Sequence, residues 1–355
     1  MGRYSLTRAF ALTAAGLLVF ILYLHFLIGI DDIIEVFMRV NPYNYSLFYS
    51  ATIAAMTLSM LFYSMSWSAL LRALSINISL KKAFIYCWLG NFTDLIIPFE
   101  TVSGEVVRVY LTRRDSLDSG KVIASVVAHR IITVFITLGG LLFASLFFIL
   151  KGGAAAELLY LLLMIMVGSV TLILLLLYLS LREEATSKIV VMLIKVASPI
   201  FRRFGFDASK AKERAYRGLL QFHSSFKSFG KKWGFVAKSA VYGFIAWLFH
   251  LSTYLLIFYA LGFSGISAKI IESVIVYTVS AAVQSAPIAL PLGLVEIVMA
   301  NLYTIFDIPA AISGTATLLI RTVTFWFQIV VGYILAQWIG VKEVINQKPK
   351  EASTC

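Results

Sequence analysis

Charge is what this sequence has least of. Only 14% of its 355 residues are Asp, Glu, Lys or Arg, where soluble domains carry about 25%. Against 60% apolar residues, that scarcity excludes an ordinary soluble domain and points to an all-α polytopic membrane protein. Negative charge is the scarcer sign: 18 acidic residues face 30 basic ones, a net +12. The surplus sits largely in loops, so it speaks to topology and to anionic headgroups, and nucleic acid is not an expected partner. Two cysteines, Cys87 in an apolar stretch and Cys355 at the terminus, make no disulfide framework. The four scattered histidines have no metal-ligand spacing, and no Walker motif is present, so neither a metal, a cofactor nor intrinsic ATP hydrolysis is expected.

What the chain has instead is long apolar runs. A span needs roughly 20 such residues. The runs at about 9–30, 45–71, 121–150, 156–181, 237–262 and 311–340 qualify. Arg3 and Arg8 precede the first, which is too long for a cleaved signal and lacks a small-residue cleavage site, so it reads as an uncleaved span. Two further stretches are apolar but interrupted: 83–120 by Pro98 and Gly104, and 270–309 by Pro287, Pro291 and Gly293. Each holds two segments, each half is short, and the pattern fits re-entrant hairpins or broken helices.

Lys and Arg then orient the chain. They cluster before the first long run, after the second, around 113–121, across 182–238 and in the tail, whereas the 31–44, 151–157 and 263–269 loops are poor in them. Both termini come out cytoplasmic, in the cell membrane. The first interrupted stretch is flanked by basic loops and the second by lysine-poor ones. This predicts two inverted repeats, about 1–150 and 156–340, each with three spans and a broken re-entrant hairpin, within a single transmembrane domain 1–340. A basic amphipathic segment, 182–236, is expected to lie on the anionic leaflet, and 341–355 form a cytoplasmic tail.

The few charges left inside apolar sequence are patterned. Glu105 and Arg130 lie 25 residues apart, as do Glu296 and Arg321, and the second pair is the first shifted by 191 positions. Tyr86 and Tyr277 share that shift. An intramembrane Arg is expensive, about 2.5–3.5 kcal/mol on insertion scales, so a chain that keeps the pair twice has a use for it. A helix starting near Ser103 would offer free N–H groups to an anion. Arg108 lies one turn beyond Glu105 and has Met299 at its shifted position. Two uses fit both pairs: a buried clasp between hairpin and span, or a polar cavity in which an arginine meets an anionic group. Glu100, Asp94 and Gln284 line a cavity or sit at an interface. His129 reads as a packed or cavity-facing residue, and His250 and Tyr254 as interhelical hydrogen bonders.

At these motifs the chain resembles the flippase-like membrane-domain family, the membrane region of lysylphosphatidylglycerol synthases. The resemblance rests on Pro98, Gly104, Glu105, Arg108 and Arg130, then on Pro291, Gly293, Glu296 and Arg321, and covers about residues 10–340. Leu292 and Leu294 stand where the family tends to have glycine, and Ile131-Ile132-Thr133 where an acidic residue is common. The resemblance implies a lipid-translocating domain. The synthases add a cytosolic aminoacyltransferase domain; this chain runs only to Cys355, so it is expected to be a stand-alone member and not an enzyme.

The expected function is translocation of an anionic phospholipid or lipid-linked headgroup between leaflets. Arg108, Arg130 and Arg321 would receive phosphate, and Glu105 and Glu296 would keep the arginines placed. Membrane lipids are the expected partners, and a homo-oligomer is compatible with the sequence. A secondary transporter of a water-soluble anion and an intramembrane lipid-modifying enzyme are the rival readings.

Overall fold

The computed structural model describes residues 18–19, 21–96, 103–113, 118–150, 156–192, 208–285 and 291–347. Within them the chain is almost wholly helical, with no strand. The order is α1 (Ile30–Arg39), α2 (Pro42–Ala73), α3 (Leu80–Ile96), α4 (Ser103–Arg113), α5 (Ser119–Leu150), α6 (Ala156–Leu181), α7 (Ala208–Ser228), α8 (Trp233–Ala260), α9 (Ile270–Ser285), α10 (Pro291–Ile305), α11 (Ala310–Arg321) and α12 (Gln328–Gln347). Helices are what an apolar chain must form in lipid, because no water is there to satisfy the backbone.

Six stretches are long and apolar enough to cross a bilayer: Pro42–Ala73, Ser119–Leu150, Leu159–Leu181, Trp233–Ala260, Ser264–Gln284 and Ala310–Gly340. Five coincide with expected long runs. The first half of the expected 9–30 span, residues 9–17, lies outside the described residues. The sixth corrects the sequence reading. A 3-10 turn, Ser264–Lys269, leads into α9, and together they give 21 residues of spanning length, where a short arm was expected. The other arms, α3, α4 and α10, are 17, 11 and 15 residues long, below the roughly 20 that a crossing needs.

The helix starts recur at the 191-residue offset. Adding 191 to the starts of α2, α3, α4 and α5 gives 233, 271, 294 and 310; the matching helices begin at Trp233, Ile270, Pro291 and Ala310. The last pair differs in one respect. α5 is continuous, whereas its counterpart is interrupted by a π turn, Thr322–Phe327, placed directly after Arg321. Such turns concentrate at functional positions.

By internal contacts the chain forms two compact units: Met1–Met60 with Ile85–Val107 and Phe249–Cys355, and Leu61–Phe84 with Arg108–Leu248. The first has Trp88, Phe258, Ile275 and Tyr303 fully enclosed at its core. There Leu24, Ile28 and Ile33 pack on Ala300, and Gly314 lets Ile28 approach, since a Cβ at that glycine would collide with the Ile28 side chain.

The second unit encloses Trp67, Leu70, Leu141 and Leu162. Its α2 and α8 segments are tied by Ser66, whose hydroxyl donates to the Ser239 carbonyl at 2.8 Å. α7, part of the expected leaflet-lying segment, packs one face on protein. Leu219 and Phe222 are buried. Gln221 accepts the Gly120 N–H at 3.0 Å and donates to Asp118 at 2.9 Å. His223 Nδ1 donates to the Ser180 carbonyl at 2.8 Å. Lys121 and Gln221 together hold the Asp118 carboxyl below its ordinary pKa by hydrogen bonding to the charged form. The link therefore stays ionised at neutral pH, and its stabilisation is lost only as pH falls through that depressed carboxylate value.

Candidate functional site

Two buried polar clusters stand out, one at each interrupted stretch. In the first compact unit the cluster is built on α9, α10 and α11. α10 begins at Pro291, and Gly293 in its first turn has φ +91°, a backbone region that only glycine adopts without strain. Glu296, three residues on, reaches back so that Oε2 accepts the Gly293 N–H at 2.6 Å. That is half of a capping box: an acidic side chain satisfying a backbone N–H left over at a helix start. The other carboxylate oxygen, Oε1, accepts Arg321 Nε at 2.6 Å. Arg321 Nη1 donates to Gln284 Oε1 at 3.0 Å, and the guanidinium lies over the Phe325 ring, 4.8 Å from its centroid.

Glu296 is 3% exposed and Arg321 5%. A buried ion pair holds only where each charge is also hydrogen-bonded, and both are. One donor is left over: Arg321 Nη2 is buried and meets no acceptor among the described residues. An aromatic wall stands nearby, with Tyr277 against both His250 and Tyr254 at 5.1 and 5.3 Å. His250 and Tyr254, expected as interhelical hydrogen bonders, both pack their rings against Tyr277 in the structure.

The first interrupted stretch solves its helix start differently. The carboxylate at the N-terminus of α4 is Asp94, from α3: Oδ1 accepts the Gly104 N–H and the Ser103 hydroxyl, each at 2.7 Å. The expectation that this terminus is left open for a foreign anion is thereby corrected for Gly104, since the chain supplies its own. Gly104 is needed for the fit, because a Cβ there would run into the Gly90 carbonyl and the Asp94 carboxylate. Under the 191-residue shift Asp94 corresponds to Ser285, so the second repeat uses Glu296 for the capping that Asp94 performs in the first. Glu105, the counterpart of Glu296, is half-buried in the first turn of α4.

Arg108 belongs to the second compact unit and is 4% exposed. Its guanidinium lies 5.7 Å from the Tyr63 ring and 5.3 Å from the Trp67 ring, and Nη1 is 3.3 Å from His129 Nδ1. Cation–π stabilisation of a desolvated arginine reaches about 2 kcal/mol. Trp67 is fixed in turn by donating to Ser125 Oγ at 3.1 Å, and Tyr63 meets the His129 ring edge-on at 4.5 Å. Buried His129 shows no partner for Nε2 among the described residues. Arg130, beside it, is half-buried on α5. Its pairing with Glu105 stays an expectation. Pro98 and Pro287 lie outside the described residues, as do Glu100 and the side chain of Pro291.

One network gave little sign in the sequence. Gln328, 3% exposed at the end of the π turn, accepts Trp88 Nε1 at its carbonyl at 3.2 Å and the Asn91 amide at its side chain. Its own amide donates to the Thr324 carbonyl at 2.6 Å. A glutamine set between Phe327 and Ile329 in the last span was the available signal.

Spanning helices with buried, hydrogen-bonded charges at two chain breaks define a polytopic α-helical membrane protein with polar sites inside its apolar body. The chain belongs to the family described as the lysylphosphatidylglycerol synthase TM region, whose model matches residues 13–332. Among curated proteins it is similar to a UPF0104 membrane protein of Methanocaldococcus jannaschii, 26% identical over 93% of this chain and 95% of that one. It is likewise similar to one from Pyrococcus horikoshii, 24% identical over 86% and 90%, and to one from Methanothermobacter thermautotrophicus, 22% identical over 78% and 81%. No solved structure gives a significant match.

Proposed function

We propose that this protein moves an anionic phospholipid or lipid-linked headgroup between the leaflets of the cell membrane, without chemically changing it. In this reading both termini are cytoplasmic, the two repeats are inverted, and the chain breaks act as gates near the midplane. Arg321, Arg108 and Arg130 receive the phosphate in turn, while Glu296 and Glu105 keep arginines placed between passages.

The observation that carries the reading is Arg321. It is a buried arginine held on two sides by Glu296 and Gln284, with Nη2 still to be satisfied. A guanidinium so fixed presents a preorganised donor to an oxyanion. The π turn that begins at Thr322 supplies a local departure from regular helix next to it. Membership of a family described by a lipid-synthase membrane region supports a lipid as the cargo.

The test separates clasp from site. Replacing both Glu296 and Arg321 by Leu removes the charges together, a change that is often neutral or stabilising for a buried pair. In proteoliposomes, fluorescent phosphatidylglycerol should exchange between leaflets with wild-type protein and fail to do so with the folded double variant. Exchange unchanged in that variant makes the pair a clasp. No exchange by folded wild type, together with uptake of a soluble anion, replaces the lipid reading with the transporter one.

A further inference from the structure

In the second compact unit, a half-open cavity of about 150 Å³ is lined by Met65, Ser68, Arg72, Leu80, Lys238 and Tyr242, with Ala69 and Phe235 completing the wall. We propose that it is a binding site for the phosphate headgroup of an anionic lipid, distinct from the buried clusters at the chain breaks. The inference does not depend on translocation, since a headgroup site can serve any integral membrane protein.

Four observations carry it. The first is charge: the wall has two cations and no carboxylate. Both cations are exposed, and among the described residues neither Arg72 nor Lys238 has an acidic partner. Lys238 Nζ instead lies 5.9 Å from the centroid of the Phe235 ring. The second is depth. Arg72 is the penultimate residue of the Pro42–Ala73 span, and Lys238 lies five residues after the start of the Trp233–Ala260 span. Span ends sit where headgroups do, and exposed Trp233 and Phe235 supply the aromatic side chains that mark that level.

The third is chemistry. Two cations and the hydroxyls of Ser68 and Tyr242 can surround a phosphate, while Met65, Ala69, Leu80 and Phe235 offer apolar wall to the glycerol and upper acyl chain. A free phosphate would gain nothing from that apolar half. The fourth is the repeat. At the 191-residue shift Arg72 corresponds to Phe263, and Lys238 corresponds to Leu47. The cations are therefore no part of the duplicated scaffold, and the chain carries the site once, on one leaflet.

The test uses full-length protein in mixed micelles, with retained lipid counted by native mass spectrometry. Wild type is compared with Arg72→Gln/Lys238→Gln and with Arg72→Lys/Lys238→Arg, each checked for an unchanged unfolding midpoint. Phosphatidylglycerol should be retained by wild type, at least partly by the charge-keeping pair, and about 30-fold more weakly by the Gln pair, the worth of two cations at a lipid surface. Phosphatidylcholine should show a smaller difference between wild type and the Gln pair. Equal retention of phosphatidylglycerol by wild type and the Gln pair overturns the proposal. Displacement of that lipid by inorganic phosphate at comparable concentration overturns its lipid character, leaving a soluble-anion site.

Discussion

Arg321 and Glu296 form an ion pair deep inside the protein. Their charges are 2.6 Å apart and almost wholly removed from solvent, so neither can be lost alone without stranding the other. Arg321→Ala should lower stability by about 3–5 kcal/mol, the usual range when one partner of a buried pair is removed. The Glu296→Leu/Arg321→Leu pair should recover most of that loss. Unfolding in detergent, followed by tryptophan fluorescence, measures both; a double variant as unstable as the single would mean that packing of the Arg321 stem, not charge, holds the site. The spacing of 25 residues, repeated, made this pair legible in the sequence. Gln284 and Phe325 were not assigned to it, because which polar or aromatic side chain reaches a guanidinium depends on how each helix is rotated. The π turn that carries Phe325 has no residue code as plain as a proline.

Helix starts are where the two repeats diverge. In the first, Asp94 reaches across from α3 to cap α4; in the second, Glu296 caps its own helix. Asp94→Ala should destabilise by about 0.5–2 kcal/mol, the range for losing a side-chain cap, and hydrogen exchange should locate the effect in Ser103–Arg113. Protection unchanged there would show that the Asp94 contact is incidental. The start of α4 at Ser103 was readable from Pro98 and Gly104, but the capping residue was not, since Asp94 lies nine residues before Ser103 on another helix and which α3 residue reaches the start of α4 depends on how the two helices pack. α7 teaches the same lesson. Its basic amphipathic pattern was plain, yet an apolar face does not say whether lipid or protein covers it. Gly120 and Gly218 show what covers one face: a Cβ at Gly120 would run into the Gly218 carbonyl, so these two glycines permit the helices to touch.

For the whole molecule, the question is how the two repeats face the membrane. Their helices recur at a fixed offset, but recurrence is equally compatible with parallel and inverted copies. The charge pattern argues for inversion, because the 31–44 loop carries acid and little base while the loop ahead of the equivalent helix, 231–232, is basic. Three spans and a re-entrant arm per repeat would force that outcome; an even number of crossings would forbid it. The full-spanning length of Ser264–Gln284 makes the count in the second repeat the point to test. Tyr43 and Gly234 occupy equivalent places at the offset, and both are exposed. With Cys87 and Cys355 replaced by Ser, Tyr43→Cys should react with a membrane-impermeant maleimide on intact cells, and Gly234→Cys only after permeabilisation. Labelling of both from the same side would make the repeats parallel. Midplane gates formed by opposed chain breaks would then be impossible, and the transport proposal would have to rest on the Arg321 site alone.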